Sequence, residues 1–170
     1  MRKLIGIVIL FASMALAMPG QAQSNAKFGY VDSNELLALM PEKDSVEVRL
    51  REYQAYLEEQ IQEMFNEYES KVNAYRANQS TMSNIIKQTR EREIADLEER
   101  ITQFQQTAEA DFQNKQAELY NPLIEKARRA IKEVAEEHGY TYIFDVSVGS
   151  LLYWEKGENV LPLVKKEMGL

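Results

Sequence analysis

Nine apolar side chains between Val46 and Tyr75 recur at steps of 4, 3, 4, 4, 3, 4, 4 and 3 residues: Val46, Leu50, Tyr53, Leu57, Ile61, Met64, Tyr68, Val72 and Tyr75. Three sets repeat every 11 residues: Val46/Leu57/Tyr68, Leu50/Ile61/Val72 and Tyr53/Met64/Tyr75. An 11-residue period is about 3.67 residues per turn, which favours straight or slightly right-handed helix packing. The pattern predicts one helix of about 37 residues with a narrow apolar stripe, widened at its flank by Tyr56 and Phe65. A stripe so narrow cannot hold a long helix in water without a partner.

The partner follows in the chain. Beyond "NQSTMSN" an apolar series runs through Ile86, Ile94, Leu97, Ile101, Phe104, Ala108, Phe112, Leu119, Leu123, Ala127, Ile131 and Val134. It predicts a second helix of about 56 residues; at about 1.5 Å per residue the two helices span roughly 55 and 84 Å. The bend between them is short, so they fold back as an antiparallel hairpin over residues 46–123, with its tip near 77–83. Two helices cannot cover every apolar side chain, and some of Tyr56, Phe65, Ile85 and Ile94 are expected to stay partly exposed. Exposed apolar surface on a long charged scaffold marks an interaction site.

The hairpin's far end differs in charge. Residues 70–90 hold Lys71, Arg76, Lys87 and Arg90 and no acidic residue. Without residues 1–22 the chain has 18 basic and 27 acidic side chains, a net charge of −9, so everything outside the 70–90 segment sums to −13. Such a field can steer the tip toward anionic surfaces; the alternative reading is that it only keeps a bend soluble.

Residues 1–22 read as a secretory signal: Arg2 and Lys3, then the apolar run "LIGIVILFASMALAM", then small residues ending at Ala22 or, alternatively, Ala17. The apolar run is short for a membrane-spanning anchor. No cysteine occurs, so neither a disulfide nor a thioether-linked lipid is expected.

The segments flanking the hairpin, 23–45 and 124–170, read as a β-rich body. Phe28, Tyr30 and Val31 suggest a strand, and Asp32 three residues before Glu35 has the spacing of a capping box for a helix over "NELLALM". Pro41 fits the first turn of the next helix. Pro122 predicts either a kink or a fresh helix capped by Asn121, and thus a candidate hinge. "EEHGY" ends that helix at Gly139. "YTYIFDVSV" and "SLLYWEKG" read as two strands joined by a tight connection, and "ENVLPLVKKEMGL" as a terminal helix broken or begun near Pro162. About three short strands make a marginal sheet with open edges, which points to an oligomer sharing its sheet.

Little here suggests catalysis. One histidine and no cysteine leave no nitrogen–sulfur metal set, and neither a phosphate loop nor a serine elbow occurs. His138 reads as a helix-end residue, and Asp32 and Asp145 as caps or turn residues. We expect no enzyme, no cofactor, no metal and no nucleic-acid partner.

"KFGYVDSNELLALMPE", the long charged hairpin, "NPLIEKARRAIKEVAEEHGYTYIFD" and the ending "LLYWEKGENVLPLVKKEMGL" together resemble the Skp/OmpH family of periplasmic chaperones, over residues 26–170. "GYVD" and the helix-to-strand passage into "YTYIFD" carry most of the resemblance; the hairpin alone would not. It implies an α+β, mostly α fold: a homotrimer in which strands of three chains form a small shared β-barrel and three helical hairpins project as tentacles around a cavity. It further implies that unfolded outer-membrane proteins are held there without ATP before membrane insertion. The best-known members are strongly basic, whereas this mature chain is acidic. On this reading Tyr56, Phe65, Lys71, Arg76, Ile85, Lys87, Arg90 and Ile94 face clients or an anionic outer-membrane surface. A stalk or tether of the cell envelope would use the same helical periods but not the β-rich ends.

Overall fold

The computed structural model describes residues 26–170, so the expected signal segment lies outside the described residues. The elements in chain order are strand β1 (Phe28–Val31), helix α1 (Ser33–Leu39), helix α2 (Glu42–Asn78), helix α3 (Asn84–His138), strand β2 (Tyr142–Asp145), strand β3 (Glu158–Asn159) and helix α4 (Leu161–Met168). The architecture is thus mostly helical, with a small strand-bearing body at one end of a long hairpin.

Local chemistry fixes the helix ends. Asp32 Oδ1 accepts from the amides of Asn34 and Glu35 at 2.9 and 3.1 Å, capping α1. Glu35 returns no bond to Asp32, so the expected capping box is half formed. Pro41, at φ −64°, directly precedes α2, whose first turn carries Glu42 and Asp44 at the positive end of the helix dipole. Ser83 Oγ accepts from the Ile86 amide at the start of α3. Gly139 ends that helix at φ 68°, a left-handed conformation in which a side chain is costly.

Two sequence expectations are corrected. Pro122 starts no new helix under an Asn121 cap: α3 runs through it without interruption. Three residues before it and one after, Leu119 and Leu123 are buried, and that packing holds the helix together across the lost hydrogen bond. "SLLYWEKG" is not a strand. Residues 150–157 form a loop closed by a turn, with the Gly157 amide donating to Trp154 O at 2.8 Å, and β3 forms just beyond it at Glu158–Asn159. No tight antiparallel pair results. The sheet is wholly parallel, in the order β2-β1-β3. Phe28 faces Tyr142 and Val31 faces Asp145 in one ladder; Gly29 faces Glu158 and Tyr30 faces Asn159 in the other. The whole hairpin is therefore the crossover between two neighbouring parallel strands.

One face of this sheet is packed. Val31, Leu36, Met40, Leu123, Val134, Val160 and Val164 belong to a single buried cluster. That cluster extends up the hairpin through Val46, Leu50 and Leu119. Gly29 is needed at its place in β1: a Cβ there would lie 2.7 Å from Val160 Cγ1 and 3.1 Å from the Tyr140 ring.

Candidate functional site

The predicted stripe of α2 is the stripe that turns inward: Val46 and Leu50 are buried, and the seven further members through Tyr75 are half-buried. The helices run antiparallel in a fixed register. Lys126 pairs with Glu42 at the base. Further out, Tyr53 Oη donates to Asp111 Oδ2 at 2.6 Å. Lys71 Nζ lies 3.9 Å from Glu93 Oε2, and Tyr75 Oη donates to Glu91. Hydrogen bonding to Asp111 and to Glu91 raises the Tyr53 and Tyr75 phenols above their ordinary value, so both remain donors.

Along the shaft Tyr56 and Phe65 are exposed. Tyr56 stacks on Tyr53 at 6.2 Å between ring centroids. Phe65 lines a shallow groove with Tyr68, Ile101 and Gln105. At the tip, Lys71, Arg90 and Ile94 converge on one cleft of about 240 Å³ together with Tyr75, Met82 and Glu93. Ile85 is 78% exposed and Ile86 is exposed beside it.

The four cations of the tip are not equivalent. Lys71 pairs with Glu67 at 3.6 Å and with Glu93. Arg90 donates to Glu93 at 2.7 Å. Arg76 and Lys87 form no ion pair among the described residues. Acids just outside the 70–90 segment thus neutralise half of the charge that sequence counting assigns to it. Two cations without an ion pair remain at the tip, and one of them, Lys87, directly follows the exposed Ile85 and Ile86 in α3.

The body carries a second exposed surface that sequence reasoning did not single out. On the outer face of the sheet Phe28, Tyr142 and Phe144 stack with centroids 6.1–6.3 Å apart, and all three are exposed. Tyr30, Leu151, Tyr153 and Trp154 border a groove of about 280 Å³ beside them, and Leu152 is 97% exposed. The signal was present in the alternation of β1, which sends Phe28 and Tyr30 to the face opposite Gly29 and Val31. Parallel sheets normally have both faces covered, and here only one is. Around the packed face, Lys27 spans the strand ends, bonded to Glu158 at 3.1 Å and lying 3.9 Å from the Tyr140 ring centroid. Asp145 Oδ1 accepts from the amides of Ser33 (3.2 Å) and Ser147 (2.9 Å). Asp32 and Asp145 are therefore cap and turn residues, and His138 occupies the last turn of α3.

Among the described residues no group of three or more histidines and carboxylates could hold a metal ion. None of their helices is long and apolar enough to cross a membrane.

The family described as Outer membrane protein (OmpH-like) matches residues 27–168, nearly all of the described chain. The chain belongs to the OmpH-like family. The Chaperone protein Skp of Photorhabdus luminescens is 25% identical over 155 residues, covering 91% of this chain and 93% of the relative. Its counterpart from Vibrio cholerae is 24% identical over 162 residues, covering 95% and 93%. A crystal structure described as an OmpH-like outer membrane chaperone from Caulobacter crescentus superposes with a TM-score of 0.69 over 85% of this chain and 86% of that one. At 9% identity this last likeness concerns the fold alone. The fold is thus shared at very low sequence identity.

Proposed function

We propose that this chain is an ATP-independent holdase that binds unfolded outer-membrane proteins in the periplasm and keeps them from aggregating before insertion. The observation that carries this reading is the OmpH-like match across residues 27–168, body and hairpin together; a stalk would need only the hairpin. The family is one of periplasmic chaperones and not of enzymes. The exposed apolar side chains offered along the shaft are aromatic and aliphatic groups, among them Tyr56 and Phe65. A nascent barrel strand exposes alternate apolar residues. Tyr56, Phe65 and Ile94 along a long rod meet such a chain through many weak contacts, none of which demands a sequence.

The assembly follows from the body. The uncovered aromatic face around Phe28, Tyr142 and Phe144, and a β3 edge only two residues long, call for a second chain. Three copies is the number the family resemblance implies, and Pro122 lies where each hairpin leaves the shared base, as its candidate pivot. The tip's free Arg76 and Lys87, with Ile85, suit the anionic surface of the outer membrane. Export depends on the segment 1–22, cleaved after Ala22 or Ala17.

The test is dilution of a urea-unfolded outer-membrane barrel into buffer with the mature protein and no nucleotide, followed by light scattering. Scattering is expected to be suppressed at about one trimer per client. Full aggregation in the presence of a helical, oligomeric protein would reject the reading and leave the envelope stalk in its place.

A further inference from the structure

The two helices of the hairpin are not packed evenly along their length. At the base, Leu50 and Leu119 are buried in the body cluster. About four to five turns from the start of α3 at the tip, Leu97 and Ile101 form a second buried node outside that cluster, with Leu97 only 2% exposed. Between them lies a gap of about 380 Å³ lined by Leu57, Ile61, Phe104, Ala108 and Phe112. Every one of these side chains is half-buried. Ala108 explains the gap: it places a methyl group where the facing Leu57 and Ile61 could meet a full side chain, so their inner surfaces lack contact partners.

Polar ties are missing from the same stretch. Between the Tyr53–Asp111 bond and the Lys71–Glu93 pair, no hydrogen bond or ion pair joins the two helices among the described residues. The polar groups on the rim bond along their own helices instead, Gln54 to Glu58 at 2.8 Å and Gln113 to Glu109 at 2.9 Å. The helices are thus held at both ends of this segment and loosely in the middle.

We propose that the shaft contains a yielding joint centred on Ala108, at which α2 and α3 part most readily, so that the outer part, kept together by Leu97 and Ile101, moves as a unit. The joint is distinct from a pivot at Pro122, which lies in the packed base. It lets the end of the arm move inward or outward while the base stays fixed. This inference does not rest on the holdase reading and needs no client for its test.

Hydrogen exchange read by mass spectrometry on the whole mature assembly decides it. Simple fraying predicts protection that falls steadily from base to tip. The joint predicts a dip: amides in 54–61 and 104–112 exchange about tenfold faster than those in 94–101, although the latter lie nearer the tip. Ala108→Leu fills the gap at almost equal helix propensity, so slower exchange in the dip reports packing. About a tenfold slowing there is expected, with 94–101 little changed. Ala108→Met, an unbranched side chain suited to irregular gaps, gives the same direction with less demand on shape. A steady base-to-tip gradient would overturn the proposal. So would unchanged exchange in both variants, or loss of helix content in both, because the gap would then not exist as described.

Discussion

The body and the shaft are built from the same kinds of side chain but differ in how many neighbours each element has. In the body α1, the α3 base, α4 and the sheet surround one another, and Leu36, Val160 and Val164 are wholly buried. On α2 no residue beyond Leu50 is buried, although Leu57, Ile61 and Met64 are as apolar as anything in the core. Burial here follows from the number of facing elements and not from hydrophobicity. The body is therefore a folded unit with one packed side, and the shaft is a pair of helices that touch along a line. Stability belongs to the first and adaptability to the second.

The comparison can be broken most directly by one substitution made at three depths. Leu36→Ala should cost the body about 2–5 kcal/mol, the range for removing a fully enclosed leucine. Leu97→Ala, in the isolated shaft node, should cost about half as much and act locally. Leu57→Ala, beside a gap already present, should cost about 1 kcal/mol or less. Urea midpoints with fixed slope check the order, and a Leu57 effect equal to that of Leu36 would mean the shaft is as tightly coupled as the body. Gly29→Ala comes next. Its Cβ would meet Val160 Cγ1 at 2.7 Å, and the β-branched valine has no room to turn away. Overpacking of this kind costs about 1–3 kcal/mol and should appear as a lowered midpoint with the hairpin's helix content unchanged.

The same contrast governs how much the sequence reveals. Both long helices are legible because a stripe repeated over many turns is a local, redundant signal; the predicted 46–75 series is the inward face of α2 throughout. The tip, the Asp32 cap and the Gly139 terminus are legible for the same reason, since each is written in neighbouring residues. The sheet is not. Its ladders join Gly29 to Ile143 and to Glu158, segments more than a hundred residues apart, and β3 contributes only Glu158 and Asn159, which carry no strand composition. "SLLYWEKG" has that composition without the hydrogen bonds, because the segment runs into the Trp154–Gly157 turn instead of lying along a neighbouring strand. Of the candidate site, the exposure of Tyr56, Phe65 and Ile85 could be anticipated by counting helix faces. The pairing of Lys71 with Glu93 could not, because it depends on the register between helices, whereas Arg90 and Glu93 are an i,i+3 pair within α3.

Acid separates the two regions by a smaller but signed effect. Hydrogen bonds from Lys126 and from Lys43 hold Glu42 and Glu47 below the ordinary glutamate value. At Asp145 partial burial pushes the carboxyl up, but the bonds from Ser33 and Ser147 outweigh it and the net shift is downward. All three lie in the body or at the hairpin base. A carboxylate depressed in the folded state contributes stability above its unfolded value, and that contribution is lost as pH falls through the folded one. The body should therefore loosen below about pH 4, ahead of the shaft. Trp154, the single tryptophan, reports on the body by fluorescence, and the helix signal at 222 nm is dominated by the shaft. The tryptophan transition should come first on acidification. In Asp145→Asn the body should be less stable at neutral pH, and the difference from the parent should shrink as pH falls through the depressed folded-state value of Asp145. Coincident transitions would place the acid-labile contacts in the hairpin instead.

The smallest effect on stability should come from the tip, and there the prediction concerns binding. Arg76→Gln with Lys87→Gln removes two unpaired, solvated charges and should leave the unfolding midpoint within about 0.5 kcal/mol of the parent. Near an anionic bilayer each free cation is worth about 1 kcal/mol, so the pair should weaken association with vesicles rich in anionic lipid by about 30-fold at low salt. Lys71→Gln with Arg90→Gln removes the same formal charge. Glu93 already opposes both cations, however, and the lost attraction should be several-fold smaller. Raising the salt should erase the difference between the two double variants, because it screens exposed charges over about 10 Å or less. Equal losses in the two would mean that the tip acts as a uniform cloud of four charges, and that the ion pairs to Glu93 do not persist at a membrane surface.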